Sequence, residues 1–298
     1  MSLTMSFPIH VPVLTEEALE GLQVQRGGCF IDCTVGLGGH AAAIMSRISP
    51  QGRLLAVDAD PEAIRVAQLK LNGYSESVTF VNDNFANLEA ICHTYNFYPV
   101  DGILFDLGVS SLQLDTAERG FSFRSDARLD MRFNPRDGLS AADVVNTFSE
   151  RELAGIIREY GEDTFSWHIA RHIMRNRPIV STLQLAQIVE QALCGRHSRI
   201  HPATRTFMAL RIAVNSELEN LKQALPQAVN LLRFGGRLVL ISYHSLEDRI
   251  VKQFMRREAT SYAPSLKLIS KKVIKPTPLE IRSNPRSRSA KMRTAERL

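Results

Sequence analysis

The stretch GCFIDCTVGLGGHAAAIMSRI, residues 28–48, decides the fold. Its first part, GCFIDCT, is a short apolar run with β-branched and aromatic character, as in a buried strand. Its last part, HAAAIMSRI, has the composition and spacing of a helix. Between them VGLGGHA packs three glycines into a tight strand-to-helix turn. Gly36, Gly38 and Ala41 satisfy the G-x-G-x-x-G/A spacing of dinucleotide-binding turns, and Asp58, about 20 residues on, ends the next apolar run where a ribose-binding acid belongs.

Outward from this unit the alternation continues. GRLLAVDAD reads as a second strand, Asp60 as an N-cap with Pro61 at the first helical position, and PEAIRVAQLKL as the helix they open. VTFVND and ANLEAICHTY repeat the unit, and VDGILFDLG supplies a fourth buried strand. Strand-helix repetition of this kind predicts an α/β fold, a Rossmann-like, doubly wound and mostly parallel sheet with right-handed crossovers.

From about Asp115 the alternation stops, and helical segments follow one another to about position 205. Ser149 and Glu152 form a capping box ahead of RELAGIIREYG, with Gly161 placed to end that helix, and TLQLAQIVEQAL is a second amphipathic run. A long helical pattern, TRTFMALRIAVNSELENLKQAL, leads to RFGG and a fifth strand, RLVLISYH; LKLISKKVI and a basic tail finish the sheet. An all-helical domain of residues 115–205 is therefore expected inside a discontinuous domain formed by 1–114 and 206–298. No internal repeat is visible.

The 298 residues are 44% hydrophobic, with no apolar run near the roughly 20 residues that cross a bilayer. The opening MSLTMSFPIHVP has neither a basic nor an apolar leader region, so a cytoplasmic protein without membrane attachment is expected. Cys29, Cys33, Cys92 and Cys194 contain no CxxC pair and no matching His cluster, which argues against a zinc site or a disulfide framework; no metal is expected, and Cys29 and Cys33 read as strand core. The net charge of +5 is uneven: from Arg249 onward fourteen Lys and Arg face three Glu. Within that stretch IRSNPRSRSAKMR interleaves cations with Ser, Pro and Asn, which suits a polyanion as well as a solvated tail. Arg171, Arg175, Arg177, Arg196, Arg199 and Arg205 add cations to the helical insert, where either phosphate pairing or plain solubility accounts for them.

Charge also bears on the cofactor. Asp32 at the end of the first strand and Asp106 at the end of the fourth stand on the rim where a pyrophosphate would need donors. A cationic ligand, S-adenosylmethionine, fits that rim better than a nicotinamide dinucleotide, which the glycine spacing alone also allows. DLGVSS, residues 106–111, lies beyond a strand end, where doubly wound sheets bind ligands. Its Asp106, loop carbonyls, Ser110 and Ser111 offer acceptors to orient an exocyclic amine and take up developing positive charge, or they simply cap a loop. Ser245 with Asp248 in YHSLEDR reads as a helix cap, with His244 on the same rim as Asp106.

HVPVLTEEALEGL, IDCTVGLGGHA, AVDADPEAI, GILFDLGVSSLQLDTAERGFSFRSDARLDMR, HPATRTFMALRIAVNSELENL and GGRLVLISYHSLEDRIVKQF together resemble the bacterial 16S ribosomal RNA (cytosine-N4)-methyltransferase family, the RsmH or MraW type, nearly end to end. The resemblance implies a class I S-adenosylmethionine-dependent methyltransferase fold with an inserted substrate-recognition domain. It also implies action on a cytidine in the ribosomal decoding centre, with 16S rRNA or the 30S subunit as partner; a homodimer is left open. It places Gly38, Gly39 and His40 in the cofactor loop, Asp58 on the ribose and Phe85 beside the adenine. Asp106 and Gln113 would be the remaining cofactor contacts, and Asp106 the catalytic residue. The Pro-Pro-aromatic sequence common after the acid of amino-methyltransferases is here Leu107-Gly108-Val109, so the aromatic on the target base is sought among Phe121, Phe123 and Tyr243. Two other readings stay open at this stage: an amino-methyltransferase of another nucleic acid, and a nicotinamide-dependent oxidoreductase.

Overall fold

A computed structural model describes residues 12–193, 201–270 and 272–298. Cys194, Arg196, Arg199 and Lys271 lie outside the described residues. The chain divides into two units, residues 1–108 with 221–298, and residues 109–220.

The first unit is built on seven strands in the order β3-β2-β1-β4-β5-β7-β6. These are β1 (Cys29–Asp32), β2 (Arg53–Asp58), β3 (Val78–Asn82), β4 (Val100–Asp106), β5 (Leu232–Ser242), β6 (Leu266–Leu268) and β7 (Lys291–Arg297). β1 to β5 run parallel, and β7 is antiparallel to both β5 and β6. This order, with one reversed strand, is the class I methyltransferase architecture expected from the sequence. Helices α1 (Thr15–Gly21), α2 (Gly39–Ile48), α3 (Pro61–Lys70) and α4 (Leu88–Thr94) belong to its first half. As anticipated, Asp60 caps α3 by accepting from the Glu62 N–H, with Pro61 at the first turn.

A parallel strand buried on both faces needs apolar side chains on both. β1, β2 and β4 provide them alternately: Ile31, Leu55, Ile103 and Phe105 enter one core, and Phe30, Leu54, Ala56 and Leu104 enter the other. The acids that end these strands, Asp32, Asp58 and Asp106, are thereby delivered to one rim.

The second unit is helical: α5 (Ser111–Asp115), α6 (Ala141–Thr147), α7 (Glu150–Gly161), α8 (Ser166–Arg175), α9 (Thr182–Ala192), α10 (Ala203–Asn215) and the start of α11 (Glu217–Leu231). Among its described residues the only β pairing is the isolated bridge Arg128–Ser181. The observed unit begins earlier and ends later than the expected 115–205. At its late border α10 packs into the same core as α6 to α9 through Ala203, Phe207 and Leu210, so it belongs with them and not with the sheet. The single long helix expected there is broken at Ser216, which takes a left-handed φ of 50°. Ser149 and Glu152 form their capping box, and α7 ends at Gly161 as expected. Arg177 is drawn inward, its Nε donating to the Val145 carbonyl at 2.6 Å and its other end to that of Phe148. Arg171 pairs with Glu150 at 3.2 Å, and Arg205 donates to the Glu162 carbonyl.

α12 (Ser245–Thr260) and α13 (Pro278–Ser283) complete the first unit. α12 is capped one residue earlier than expected. His244 is the N-cap and Glu247 closes the box, while Asp248 turns to Arg293 at 2.7 Å and Lys291 at 3.4 Å. Part of the basic tail is thus structural, since β7 is an interior strand and Arg297 donates to the Ser265 carbonyl at 2.9 Å. Arg282 and Arg288 remain exposed. No described helix is long and apolar enough to cross a membrane.

Within the second unit Gly120 has φ +72°, and a Cβ there would meet the Arg128 carbonyl oxygen at 2.5 Å and the Asp130 amide nitrogen at 2.6 Å. Both neighbours are backbone, so neither can swing aside. Gly120→Ala should therefore destabilise the unit by about 2 kcal/mol or more, the left-handed penalty being only part of the cost. Urea unfolding followed by far-UV circular dichroism measures it, and a change under ~0.5 kcal/mol would contradict the packing described.

Candidate active site

The glycine turn is held from behind by Asp58. One oxygen of its carboxylate accepts the Gly36 N–H at 2.8 Å and the other accepts the Asp60 N–H at 2.9 Å. A second lone pair on each oxygen is left for a diol. Burial pushes the carboxyl up to about 7, against the pull of the hydrogen bonds from Asp60 and Gly36. Gly38 has φ +73° and caps α2, and a Cβ there would stand 3.4 Å from Ala67 of α3. At Gly39 a Cβ would press on Pro12 at 3.0 Å. These two glycines are therefore fixed by close packing as well as by backbone conformation, as the fingerprint requires of a turn that ends against a helix.

Asp106 is gripped by three groups from different elements. Its backbone N–H donates to the Thr34 hydroxyl at 2.7 Å, Tyr243 donates its phenol to Oδ1 at 2.8 Å, and His40 Nε2 lies 3.4 Å from Oδ2. The Tyr243 phenol is held far above its ordinary range by burial first, then by the Asp106 charge, so it stays a donor. His40, on the first turn of α2, is 5% exposed and its ring nitrogens make no hydrogen bond of normal length. Burial opposes its protonation, but the close carboxylate of Asp106, with the charge of Asp32, raises its pKa. Asp32, 1% exposed, accepts the Thr34 N–H at 3.1 Å with one oxygen and has no partner for the other. Burial lifts Asp32 to about 6, the His40 charge partly offsetting this.

The first unit thus brings together Gly38, Gly39, His40, Asp58 and Asp106 on the turns that follow β1, β2 and β4. Phe85 follows β3, partly buried, with its ring edge-on to Phe105 at 5.5 Å. Gln113 belongs to the second unit, where its side-chain carbonyl accepts the Ser110 N–H at 2.9 Å in the capping box of α5. Ser110 is the N-cap, and Ser111 is buried. Of the aromatics considered for the target base, Phe121 is stacked on Phe133 at 5.7 Å and Phe123 packs on Phe207 at 4.8 Å, both inside the second unit's core. Tyr243 is committed to Asp106.

Thr34 and the Tyr243–Asp106 bond were not found from sequence. Thr34 stands two residues past the end of the first strand, yet its partner is 72 positions away, and no local pattern encodes that pairing. Among the described residues the cysteines offer no competing nucleophile: burial pushes the thiols of Cys29 to about 11 and Cys92 to about 12, and that of Cys33 well above its ordinary value.

Comparison with known proteins bears on this site. A protein from Dehalococcoides mccartyi named ribosomal RNA small subunit methyltransferase H is 55% identical over 302 residues, spanning 97% of this chain and 86% of its own length. One of the same name from Thermomicrobium roseum is 48% identical, with 97% and 94% covered. Among solved structures, an rRNA methylase from Streptococcus thermophilus aligns with 99% of each chain at 12% identity and a TM-score of 0.46. The model of the MraW methylase family matches residues 8–298, and with near full-length identities of this size the chain belongs to that family.

Proposed function

We propose that the protein transfers a methyl group from S-adenosylmethionine to N4 of a cytidine in the decoding centre of 16S rRNA, with the small ribosomal subunit in the cytoplasm as its setting. The observation that carries this is the acidic rim: Asp32, Asp58 and Asp106 end three adjacent strands around a glycine turn whose Gly36 N–H is already taken by Asp58. A pyrophosphate would meet carboxylates there, whereas a ligand carrying an ammonium and a sulfonium meets countercharge. Membership in a methylase family removes the oxidoreductase alternative, and the names of the relatives support small-subunit rRNA as the substrate class.

The residues present fit that cofactor. Asp58 keeps lone pairs for ribose hydroxyls, the backbone at Gly39 and His40 suits the methionine carboxylate, Gly38 shaping the turn with its own N–H on the Val35 carbonyl at 2.7 Å, and Phe85 offers a ring for the adenine. Asp106 is assigned the remaining contact within this unit. Asp32 is covered and acts through its charge. When bound, S-adenosylmethionine supplies an electrophilic methyl on a sulfonium. N4 of cytosine is a weak nucleophile because its lone pair is delocalised into the ring, so positioning and local electrostatics carry the catalysis. Asp106, its carboxylate fixed by Tyr243 and His40, accepts a hydrogen bond from the amine and stabilises the positive charge that grows on nitrogen as the methyl moves. The proton is lost during or after transfer. The insert around 115–205 is assigned to substrate recognition.

Labelled methyl transfer to 30S subunits, followed by nucleoside analysis, tests the reading. N4-methylcytidine is expected; label on a ring carbon or ribose would overturn it. Asp106→Asn should retain the fold and cut turnover about a hundredfold. Full activity in that variant would remove Asp106 from its role.

Asp32 gives a second test. Its folded-state value of about 6 stands above that of an unfolded aspartate, so between about pH 4 and 6 the folded state binds more protons, and stability falls as pH rises through that window. Asp32→Asn should therefore make the ligand-free protein more stable at pH 7, by up to about 3 kcal/mol, while weakening S-adenosylmethionine binding. Thermal melts from pH 4 to 8 should show the gain vanish below about pH 4. A destabilised variant at pH 7 would show that the Asp32 charge is compensated within the fold.

A further inference from the structure

The acids gather at one edge of the sheet, and guanidinium groups gather at the other. Across the amino-terminal edge of the parallel strands the register sets Arg53 beside Cys29, Gly102 beside Arg237, Arg237 beside Glu296, and Glu296 beside Lys267. This edge is roughly 20 Å from the Asp106 rim, the length of β4. In the middle of the row β5 breaks register with β4. Leu232 pairs with Val100 and Arg237 with Gly102, so residues 233–236 are thrown out opposite Asp101 alone.

That excursion borders a cleft of about 180 Å³ lined by Arg26, Gly27, Asp101, Arg233, Gly235 and Arg237 among others. The volume holds several waters, enough for a phosphate group. Asp101 is the acid in this lining, and its charge is offset by Arg233: Oδ2 accepts the Cys29 N–H at 2.6 Å and Oδ1 pairs with Arg233 at 2.5 Å. It steers the Arg233 guanidinium. Arg237 is 7% exposed, pairs with Glu296 at 2.7 Å, and keeps a buried Nε with no hydrogen-bond partner. Glu296 is shared with Lys267 at 3.9 Å, so the positive charge exceeds the negative. Beside these cations Phe234 stands 82% exposed, held out by the turn at Gly235, whose φ is +76°. A large aromatic held in water beside guanidinium groups contributes nothing to the fold and matches the pairing of cation and stacking surface that binds single-stranded nucleic acid.

We propose that this cleft binds a single-stranded RNA segment away from the methylated base, Arg26, Arg233 and Arg237 taking a backbone phosphate and Phe234 stacking on the adjoining base. It rests on the reading of the chain as an RNA methyltransferase. A binding point on the edge opposite the methyl-transfer rim would let the enzyme hold two separated stretches of a folded RNA.

The test uses the full chain and a short oligouridylate as probe, with affinity read by fluorescence anisotropy across a salt series. Phe234→Ala should weaken binding about fivefold or more. Arg26→Ala with Arg233→Ala should weaken it and lower the slope of log affinity against log salt by up to about 0.7, as for one lost phosphate contact on a single strand. Arg26 and Phe234 are exposed, so their single variants leave the fold intact. A 4-thiouridine probe should crosslink to the peptide containing Phe234. Unchanged affinity and slope in all variants, or crosslinks confined to other peptides, would overturn the proposal. Uridine monophosphate binding as tightly as the oligomer would also overturn it, marking a site for a free nucleotide. Methylation of 30S subunits by the wild type is the separate control: if it succeeds while the cleft variants bind normally, only the cleft assignment fails.

Discussion

How Asp106 is held determines what the carboxyl edge of the sheet can do. An acid that ends a buried strand has lost much of its hydration, and donors or cations must replace the water it gave up. Thr34, from the segment after β1, fixes its backbone; Tyr243, from the segment after β5, and His40, from α2, fix its carboxylate. None of the three is near it in sequence. They converge because β1, β4 and β5 are neighbours in the sheet, so the strand order is what assembles the site. Asp32 extends the same line of charge inward, at a cost to stability that a packing role would not require.

Two charged edges follow from the same construction. Parallel strands begin together and end together, so whatever precedes and follows them is collected at opposite rims. Here acids follow β1, β2 and β4, while cations start β2 and enter the conformed part of β5 at Arg237. The carboxyl rim thereby suits a cationic donor and the amino rim suits phosphate.

Much of this was legible in the sequence because it is local. The glycine turn, Asp58 at its offset, the Asp60-Pro61 start of α3 and the Ser149–Glu152 box are short-range patterns whose physics acts within a few residues. The expected border at 205 differs from the packing of α10 into the helical core, since an amphipathic helix announces its apolar face but not which core that face enters. The cap of α12 was read one residue late for a related reason: Ser245 is the commoner capping residue, yet Asp248 is drawn off by Arg293, a partner 45 positions away, which leaves His244 and Glu247 to close the turn. The basic tail was read by composition, which cannot show that β7 runs through it. The grip of Tyr243 on Asp106 is a tertiary fact of the same kind.

The proposed preference for a cationic nucleoside ligand over a pyrophosphate rests on the Asp58 and Asp106 rim. Isothermal calorimetry with S-adenosylmethionine and with a nicotinamide dinucleotide, on the wild type and on Asp58→Ala, tests it most directly. Saturable binding of S-adenosylmethionine is expected, with no detectable heat from the dinucleotide at the same concentrations and an affinity for S-adenosylmethionine about tenfold or more weaker in Asp58→Ala, where the ribose hydroxyls lose an acceptor. Tighter binding of the dinucleotide, or an undiminished affinity in Asp58→Ala, would contradict it.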